Sequence, residues 1–259
     1  MLPTVHSLVT SRAVQTWATS VGGGAFTLTS GALQVVAVHA GSNGVERVLR
    51  INSKTPKSRG DRLCLELARC WADVIVLTGA ILHAEPSLDY AWWEPSVEVG
   101  RALEAWRGQL REGRAETPRL VVMTRGRGLP VEHPVLRNPR TVLCVPADAH
   151  VDPRLGHLPV QRLPGDDGRE VLRACREQLG AERISMEAGP RISVPLFERP
   201  NLIDALLCSR YAGSVAPEML VGEFVPREVL SRAGRYVSEP QRVRDESAQW
   251  SHIAWRRNT

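Results

Sequence analysis

The sequence ERISMEAGP at residues 182–190, followed by LIDALLCS at residues 202–209, decides the fold of this chain. Ile184 and Met186 alternate with polar neighbours, which predicts a β-strand, and Gly189 with Pro190 predicts a tight turn that opens a short helix. The second stretch predicts another strand. A turn of this kind presents backbone N–H groups without partners, where a phosphate or another anion binds. A purely structural connection is the alternative interpretation of the same turn.

Composition limits the class of protein. The chain has 259 residues, 43% of them hydrophobic, which is enough to fill one large domain or two small ones. It has no apolar run near the roughly 18 residues of a membrane helix and no signal peptide, so we expect no membrane partner. The five cysteines lack C-x-x-C spacing and indicate reduced core residues of a cytoplasmic protein.

The charge pattern argues against a nucleic-acid partner. The net charge of +5 is carried almost wholly by arginine, because Lys54 and Lys57 are the only lysines. These basic residues are spread along the chain instead of forming the cluster that a nucleic-acid backbone attracts. We therefore expect the chain to bind small molecules and not nucleic acid.

Strand and helix patterns alternate along the chain. Helices are predicted at 58–71, 96–111 and 168–179, and strands at 33–40, 72–79, 119–125, 140–145, 160–163, 182–187, 202–209 and 250–257. This alternation predicts an α/β fold whose mostly parallel central sheet has helices on both faces and a late antiparallel edge. Residues 1–33 are interpreted as an N-terminal extension, partly flexible at Gly22–Gly24, and residues 34–259 as a single domain.

Several motifs together resemble one enzyme family. MEAGP at 186–190 and NLIDAL at 201–206 resemble the E-G-G-P and L-V-D-E-L signature of the reductase domain of bacterial riboflavin-biosynthesis deaminase/reductases. The segments LQVVAVHAGSNG (33–44), ADVIVLTGA (72–80), VVMTR (121–125) and HPVL (133–136) resemble further parts of that family in the same order. The resemblance runs over roughly residues 34–257 and implies a dihydrofolate-reductase-like fold.

The resemblance also implies an activity and a set of site residues. It implies an NADPH-dependent reductase, a homodimer, that transfers hydride to C1′ of a ring-opened ribosylamino-pyrimidine phosphate. The implied cofactor contacts are Gly79, Ala80, Thr124 and Arg125, the last two at the 2′-phosphate, and Ala188, Gly189 and Pro190 at the pyrophosphate. The implied substrate contacts are Ser42, Asn43, Arg62 (or Arg59, one turn earlier), Glu85 and Glu187.

Four positions depart from the family pattern, namely Asn43, Ala80, Ala84 and Ala188. Ala80 removes a hydroxyl that meets the cofactor in the family, at a cost of about 0.5–1.5 kcal/mol, and Ala188 adds a methyl group near the pyrophosphate. These changes leave two alternatives open. One is a member of the fold that has lost catalysis and binds a nucleotide-like ligand or a protein partner. The other is a reductase of another pterin-like substrate.

A deaminase site is not expected. The segment His83-Ala84-Glu85 matches the H-x-E half of the zinc-deaminase signature, but the P-C-x-x-C half is absent. Zinc in such sites needs three protein ligands, so the sequence predicts no metal. His133 is interpreted as a loop histidine with satisfied hydrogen bonds, and a catalytic role is the alternative.

Overall fold

The computed structural model describes residues 8–41, 45–50, 52, 54–90, 97–111, 117–198, 202–225, 230, 236–237, 243–244 and 249–257. Within these ranges, twelve strands form one sheet. The strands are β1 (Gly31–Ala40), β2 (Glu46–Leu49), β3 (Val74–Thr78), β4 (Arg119–Met123), β5 (Thr141–Pro146), β6 (Val160–Leu163), β7 (Arg183–Met186), β8 (Ala205–Tyr211), β9 (Leu220–Glu223), β10 (Tyr236–Val237), β11 (Val243–Arg244) and β12 (Trp250–Arg257). Ser42 and Asn43 lie outside the described residues.

Helices connect these strands. The α-helices are α1 (Ser11–Gly22), α2 (Arg59–Trp71), α3 (Gly79–Ala84), α4 (Val97–Leu110), α5 (Pro134–Arg137), α6 (Gly168–Glu177) and α7 (Pro190–Ser193). Short 3₁₀ turns lie at Ala25–Thr27, Pro153–Leu155, Val194–Phe197 and Pro217–Met219. The predicted cap of α2 is present, since the Ser58 hydroxyl accepts a hydrogen bond from the backbone N–H of Asp61.

The sheet topology confirms the predicted fold class. The main strand order is β10-β12-β8-β1-β7-β3-β4-β5-β6. All pairs from β8 to β6 are parallel, and β12 pairs antiparallel with β8 to make the late edge. The opening stretch forms β7, which lies between β1 and β3, with Met186 opposite Gln34 on one side and Val76 on the other.

Both faces of the sheet are covered, because successive strand residues point to opposite sides. In β3, Ile75 and Leu77 pack on the face that carries α1, α2 and α4, while Val74 and Val76 pack on the face that carries α6. The strands therefore read as continuous apolar runs in the sequence. All five cysteines are buried and free in these two cores.

The N-terminal segment, interpreted from the sequence as an extension that ends at residue 33, contains a helix in its described part, 8–33. This helix is α1, whose Val14 and Trp17 are buried in the same core as α2 and α4. It ends at Gly22, and Gly23 follows with a positive φ of 51°. An apolar stripe on a short helix is enough to dock it on the sheet, and β1 begins at Gly31.

The structure adds elements that periodicity did not reveal. The predicted strand at 72–79 ends at Thr78, and Gly79 begins α3. The short strands β2 and β9 pair with each other, and β2 also pairs with β1. No helix among the described residues is long and apolar enough to cross a bilayer.

Candidate functional site

A cleft opens at the carboxyl edge of the sheet, where β3, β4 and β7 end. Its volume is about 960 Å³. It is lined by Thr78, Gly79, Ala80, His83, Met123, Thr124, Arg125, Arg127, Leu129, Asp166, Gly189, Pro190, Arg191, Ile192, Val194, Pro195, Val221, Gly222 and Glu223. Because parallel strands end at the same edge, segments that are distant in sequence meet there.

Gly79 allows the end of β3 to approach the loop after β4. A Cβ at this position would lie 2.9 Å from Cδ2 of Leu129 and 3.3 Å from Oγ1 of Thr124. Oγ1 of Thr124 in turn accepts a hydrogen bond from the N–H of Gly126 at 3.1 Å, which fixes the course of the β4 loop. Two of the predicted cofactor positions, Gly79 and Thr124, are therefore in close contact.

The rim of the cleft is basic. Arg125, Arg127 and Arg191 all line it. Nε and Nη2 of Arg125 donate to Oδ2 of Asp166 at 2.9 and 2.7 Å, and these bonds lower the pKa of the Asp166 carboxyl. The two side chains are 69% and 49% exposed, so the pair contributes only about 0–1 kcal/mol and can rearrange around a ligand.

The predicted anion-binding turn follows β7. Gly189 and Pro190 line the cleft, and a Cβ at Gly189 would meet no atom within 4 Å, so this backbone faces open space. Ala188 does not line the cleft. It is buried in the core, and its carbonyl oxygen accepts a hydrogen bond from Nε2 of Gln34 at 3.4 Å.

Glu187 forms a buried ion pair with Arg69 and does not line the cleft. Its two carboxylate oxygens accept hydrogen bonds from Nε and Nη2 of Arg69, both at 2.8 Å. The Tyr90 hydroxyl donates to Oε2 at 2.9 Å, and the Tyr90 ring lies 4.2 Å from the Arg69 guanidinium. Arg69 and Glu187 are 4% and 6% exposed, so loss of Arg69 would leave the Glu187 carboxylate buried without its cation.

A second carboxylate extends this network. Oε1 of Glu66 lies 3.3 Å from Nη1 of Arg69 and 2.9 Å from Nη2 of Arg62, whereas Oε2 has no hydrogen-bond partner among the residues that the structure describes. Burial raises the pKa of Glu66, and the two arginines oppose this shift only in part. Burial also raises the pKa of Tyr90, and the Glu187 charge adds to that effect. Tyr90 has a φ of 58°, a strained value for a residue with a side chain.

The structure brings some predicted site residues together and separates others. Gly79, Ala80, Thr124, Arg125, Gly189 and Pro190 share the cleft. Arg62 and Glu85 lie near the Glu66–Arg69–Glu187 network, and burial is the main cause that raises the pKa of Glu85. Ala84 is exposed and outside the cleft lining. Apart from buried Ala188, the predicted site residues that the structure describes thus fall into the cleft or the adjacent charged network.

Sequence reasoning missed Glu66, Arg69 and Tyr90. The signal for the first two was available, because they lie on the buried side of α2 among Leu63, Leu67 and Cys70. A charged pair three residues apart on an apolar helix face requires a partner in the core. Tyr90 had no comparable local signal.

Both ring nitrogens of His133 form hydrogen bonds. Nδ1 of His133 accepts from the N–H of Val135, so Nε2 carries the proton and donates to the Glu85 carbonyl at 2.9 Å. His133 thereby caps α5, in line with the interpretation as a satisfied loop histidine. In the part of the chain that the structure describes, no group of three or more His, Cys, Asp or Glu side chains is placed to hold a metal.

Comparison with known proteins gives similarity in structure only. The sequence matches no model of a known protein family and no curated protein. A pyrimidine reductase-like protein from Corynebacterium diphtheriae shares 15% identity with a TM-score of 0.67, over 94% of this chain and 99% of that one. The riboflavin biosynthesis reductase of Saccharomyces cerevisiae shares 12% identity with a TM-score of 0.58, over 94% and 98% of the two chains.

RibD of Acinetobacter baumannii is a longer protein. It shares 13% identity with a TM-score of 0.60, over 88% of this chain, and this chain spans only 58% of that one. The three similarities extend over 88–94% of this chain at low sequence identity, so they concern the fold. This chain has the dihydrofolate-reductase-like fold of the pyrimidine reductases of riboflavin biosynthesis.

Proposed function

We propose that this protein is an NADPH-dependent reductase that resembles 5-amino-6-(5-phosphoribosylamino)uracil reductase and delivers hydride to C1′ of a ring-opened ribosylamino-pyrimidine phosphate. The observation that carries the proposal is the cleft at the carboxyl edge of β3, β4 and β7, where Thr124, Arg125 and the Gly189 turn converge. Reductases of the same fold support the class of reaction.

The residues present fit a phosphorylated dinucleotide. The volume of about 960 Å³ lies at the upper end of the usual range for small-molecule sites. Three guanidinium groups line the cleft, and a hydroxyl beside a guanidinium, as in Thr124-Arg125, suits a phosphate dianion. Arg125 would hold the 2′-phosphate, and the backbone of Gly189 and Pro190 would face the pyrophosphate. When bound, NADPH supplies the hydride, and the protein orients it.

The substrate contacts of the proposal lie beside the cleft. Arg62 is 41% exposed and offers a cation for the ribose phosphate, and Glu85 stands at the end of α3. Glu187 has both carboxylate oxygens engaged by Arg69 and Tyr90. Glu187 is also only 6% exposed, so a direct contact with substrate requires its neighbours to move. With Tyr90 in place, Glu187 acts by holding Arg69.

The first prediction tests the phosphate assignment. Replacement Arg125→Ala should weaken NADPH binding at least about tenfold, because a charge-assisted contact to the phosphate contributes roughly 1.5–3 kcal/mol. Binding of NADH, which lacks that phosphate, should change by less than about threefold. Isothermal titration calorimetry of the purified protein with both nucleotides measures the two effects.

A matched control separates the local contact from a general charge effect. Arg154 forms an exposed ion pair with Asp152 and does not line the cleft, so Arg154→Ala should leave both affinities unchanged. Equal weakening of NADPH and NADH by Arg125→Ala would contradict the assignment of the 2′-phosphate to this residue.

A second candidate function is a protein of this fold that binds a nucleotide-like ligand without catalysis. Two observations favour it: Ala80 lines the cleft without a hydroxyl, and Glu187 is engaged by its neighbours. NADPH binding without hydride transfer to any ribosylamino-pyrimidine would support this candidate over the reductase. A homodimer in the cytoplasm remains part of the proposal, and light scattering of the purified protein tests the dimer.

A further inference from the structure

Asp166 lines the cleft beside Arg125, which the proposed function assigns to the adenosine 2′-phosphate. A single oxygen, Oδ2 of Asp166, accepts from both Nε and Nη2 of Arg125. This occupies one of the edges through which a guanidinium binds phosphate with two parallel hydrogen bonds. Asp166 directly precedes Asp167, the N-cap residue of α6, so its backbone is held by the start of that helix.

The position of Asp166 affects the two nicotinamide cofactors in opposite ways. NADPH places a phosphate dianion at the adenosine ribose, and a carboxylate beside it repels that dianion. NADH places a hydroxyl there, which donates a hydrogen bond to a carboxylate. Nucleotide-binding sites accordingly use an acidic residue at the ribose for NAD and an arginine for NADP. In this cleft the acidic group and the arginine are both present, because the Asp166 carboxylate contacts the Arg125 guanidinium at the rim.

The surrounding charges keep the carboxylate ionised. The pKa of Asp166 is lowered mainly by hydrogen bonds from Arg125, and Arg191 lowers it further through its charge. Both arginines line the same cleft, where Asp166 is the carboxylate that pairs with Arg125 and Glu223 is a second acidic lining residue. Neutralising Asp166 leaves these arginines in place and removes the negative charge that faces the ligand.

We propose that Asp166 is a cofactor-selectivity residue, which holds Arg125 and opposes the 2′-phosphate and so lowers the preference for NADPH over NADH. The proposal rests on the proposed function, because it takes the cleft as a nicotinamide-nucleotide site. The 2′-hydroxyl of NADH donates to the Asp166 carboxylate, and the 2′-phosphate of NADPH competes with Asp166 for Arg125. The protein therefore binds both cofactors.

The test is calorimetric titration of the purified full chain and of Asp166→Asn with NADPH and with NADH. Asparagine keeps the size of the side chain and an oxygen that accepts from Arg125. We expect NADPH affinity to rise about three- to tenfold, as for removal of one like charge at an exposed site. NADH affinity should stay the same or fall, so the ratio of the two dissociation constants shifts towards NADPH.

Asp152→Asn is the matched control. It removes the same charge from an exposed ion pair with Arg154 outside the cleft lining, and it should leave the ratio unchanged. A weaker preference for NADPH over NADH in Asp166→Asn than in the wild type would overturn the proposal and show that Asp166 positions Arg125 for the phosphate. An unchanged ratio would also overturn it. Wild-type protein that binds neither nucleotide would overturn the proposed function itself, which separates that failure from the others.

Discussion

Glu187 is surrounded by side chains that come from distant parts of the sequence. Arg69 lies 118 residues before it and Tyr90 lies 97 residues before it. A strand pattern places Glu187 at the end of β7, but only the packing of α2 on the sheet decides which cation meets it. Sequence alone therefore indicated the position of Glu187 and not its partners.

The same limit applies at the cleft. Thr124, Arg125 and Gly189 each follow a strand, so local periodicity places them at the carboxyl edge of the sheet. Asp166 lies 41 residues after Arg125 in a loop that carries no strand signal. Its contact with Arg125 depends on the packing of α6 against the sheet, and no local pattern encodes it.

Burial of Glu66 predicts a pH effect on stability. Its pKa in the folded protein lies above the unfolded value of 4.5, so the stabilisation that comes from its protonated form is complete below about pH 4.5. This stabilisation is lost as pH rises through the folded pKa. Relative to Glu66→Gln, which cannot ionise, the wild-type protein should therefore lose stability as pH rises above about 4.5.

Urea denaturation across this pH range measures the difference. Asp152→Asn serves as a control with the opposite sign, because hydrogen bonds from Arg154 lower the pKa of Asp152 from 3.8 to about 2. The contribution of Asp152 to stability is present above pH 3.8 and is lost only as pH falls towards 2. The difference in stability between the wild type and Asp152→Asn should therefore stay constant above pH 4.5. If the difference in stability between the wild type and Glu66→Gln also stays constant with pH, the argument from the burial of Glu66 is contradicted.

At the scale of elements, periodicity located most of the strands. The runs that became β1, β3 and β5 are nearly continuous apolar segments, β7 alternates with polar residues, and the predicted bounds of all four differ from the observed ones by one or two residues. The predicted bounds of β6 and β12 match the structure. β2 and β9, with four residues each, were not predicted, and α3 follows β3 without any turn between them.

The N-terminal helix provides a prediction at this scale. Trp17 of α1 is 3% exposed, and Nε1 of Trp106 in α4 donates to Oε1 of Gln15 in α1 at 2.5 Å. If α1 is part of the core, Trp17→Ala should lower the free energy of unfolding by about 3–5 kcal/mol. Val9→Ala, at a position that is 52% exposed, should change it by less than about 0.5 kcal/mol.

Urea denaturation of the two variants distinguishes a core helix from an appendage. A loss of stability in Trp17→Ala but not in Val9→Ala would support a core helix. Equal, small effects of both substitutions would mean that α1 can leave the sheet without loss of the core, and the boundary near residue 33 would then hold.

For the whole molecule, the parallel sheet explains why one cleft gathers distant segments. β3, β4 and β7 run in the same direction, so the residues that follow them share one edge of the sheet. Residues of β9 also line the cleft. The charged network of Glu66, Arg69 and Glu187 lies next to this edge under α2. This arrangement places the cleft beside a charged network, which the proposed function assigns to cofactor and substrate respectively.

The transferred hydride itself tests the central claim most directly. The purified protein is incubated with NADPH that carries deuterium at the transferred C4 position and with 5-amino-6-(5-phosphoribosylamino)uracil, and the pyrimidine product is analysed by mass spectrometry and NMR. The account predicts oxidation of NADPH and a deuterium atom at C1′ of a ribitylamino product. Unchanged substrate and unchanged NADPH, with a folded protein that binds the nucleotide, would contradict it.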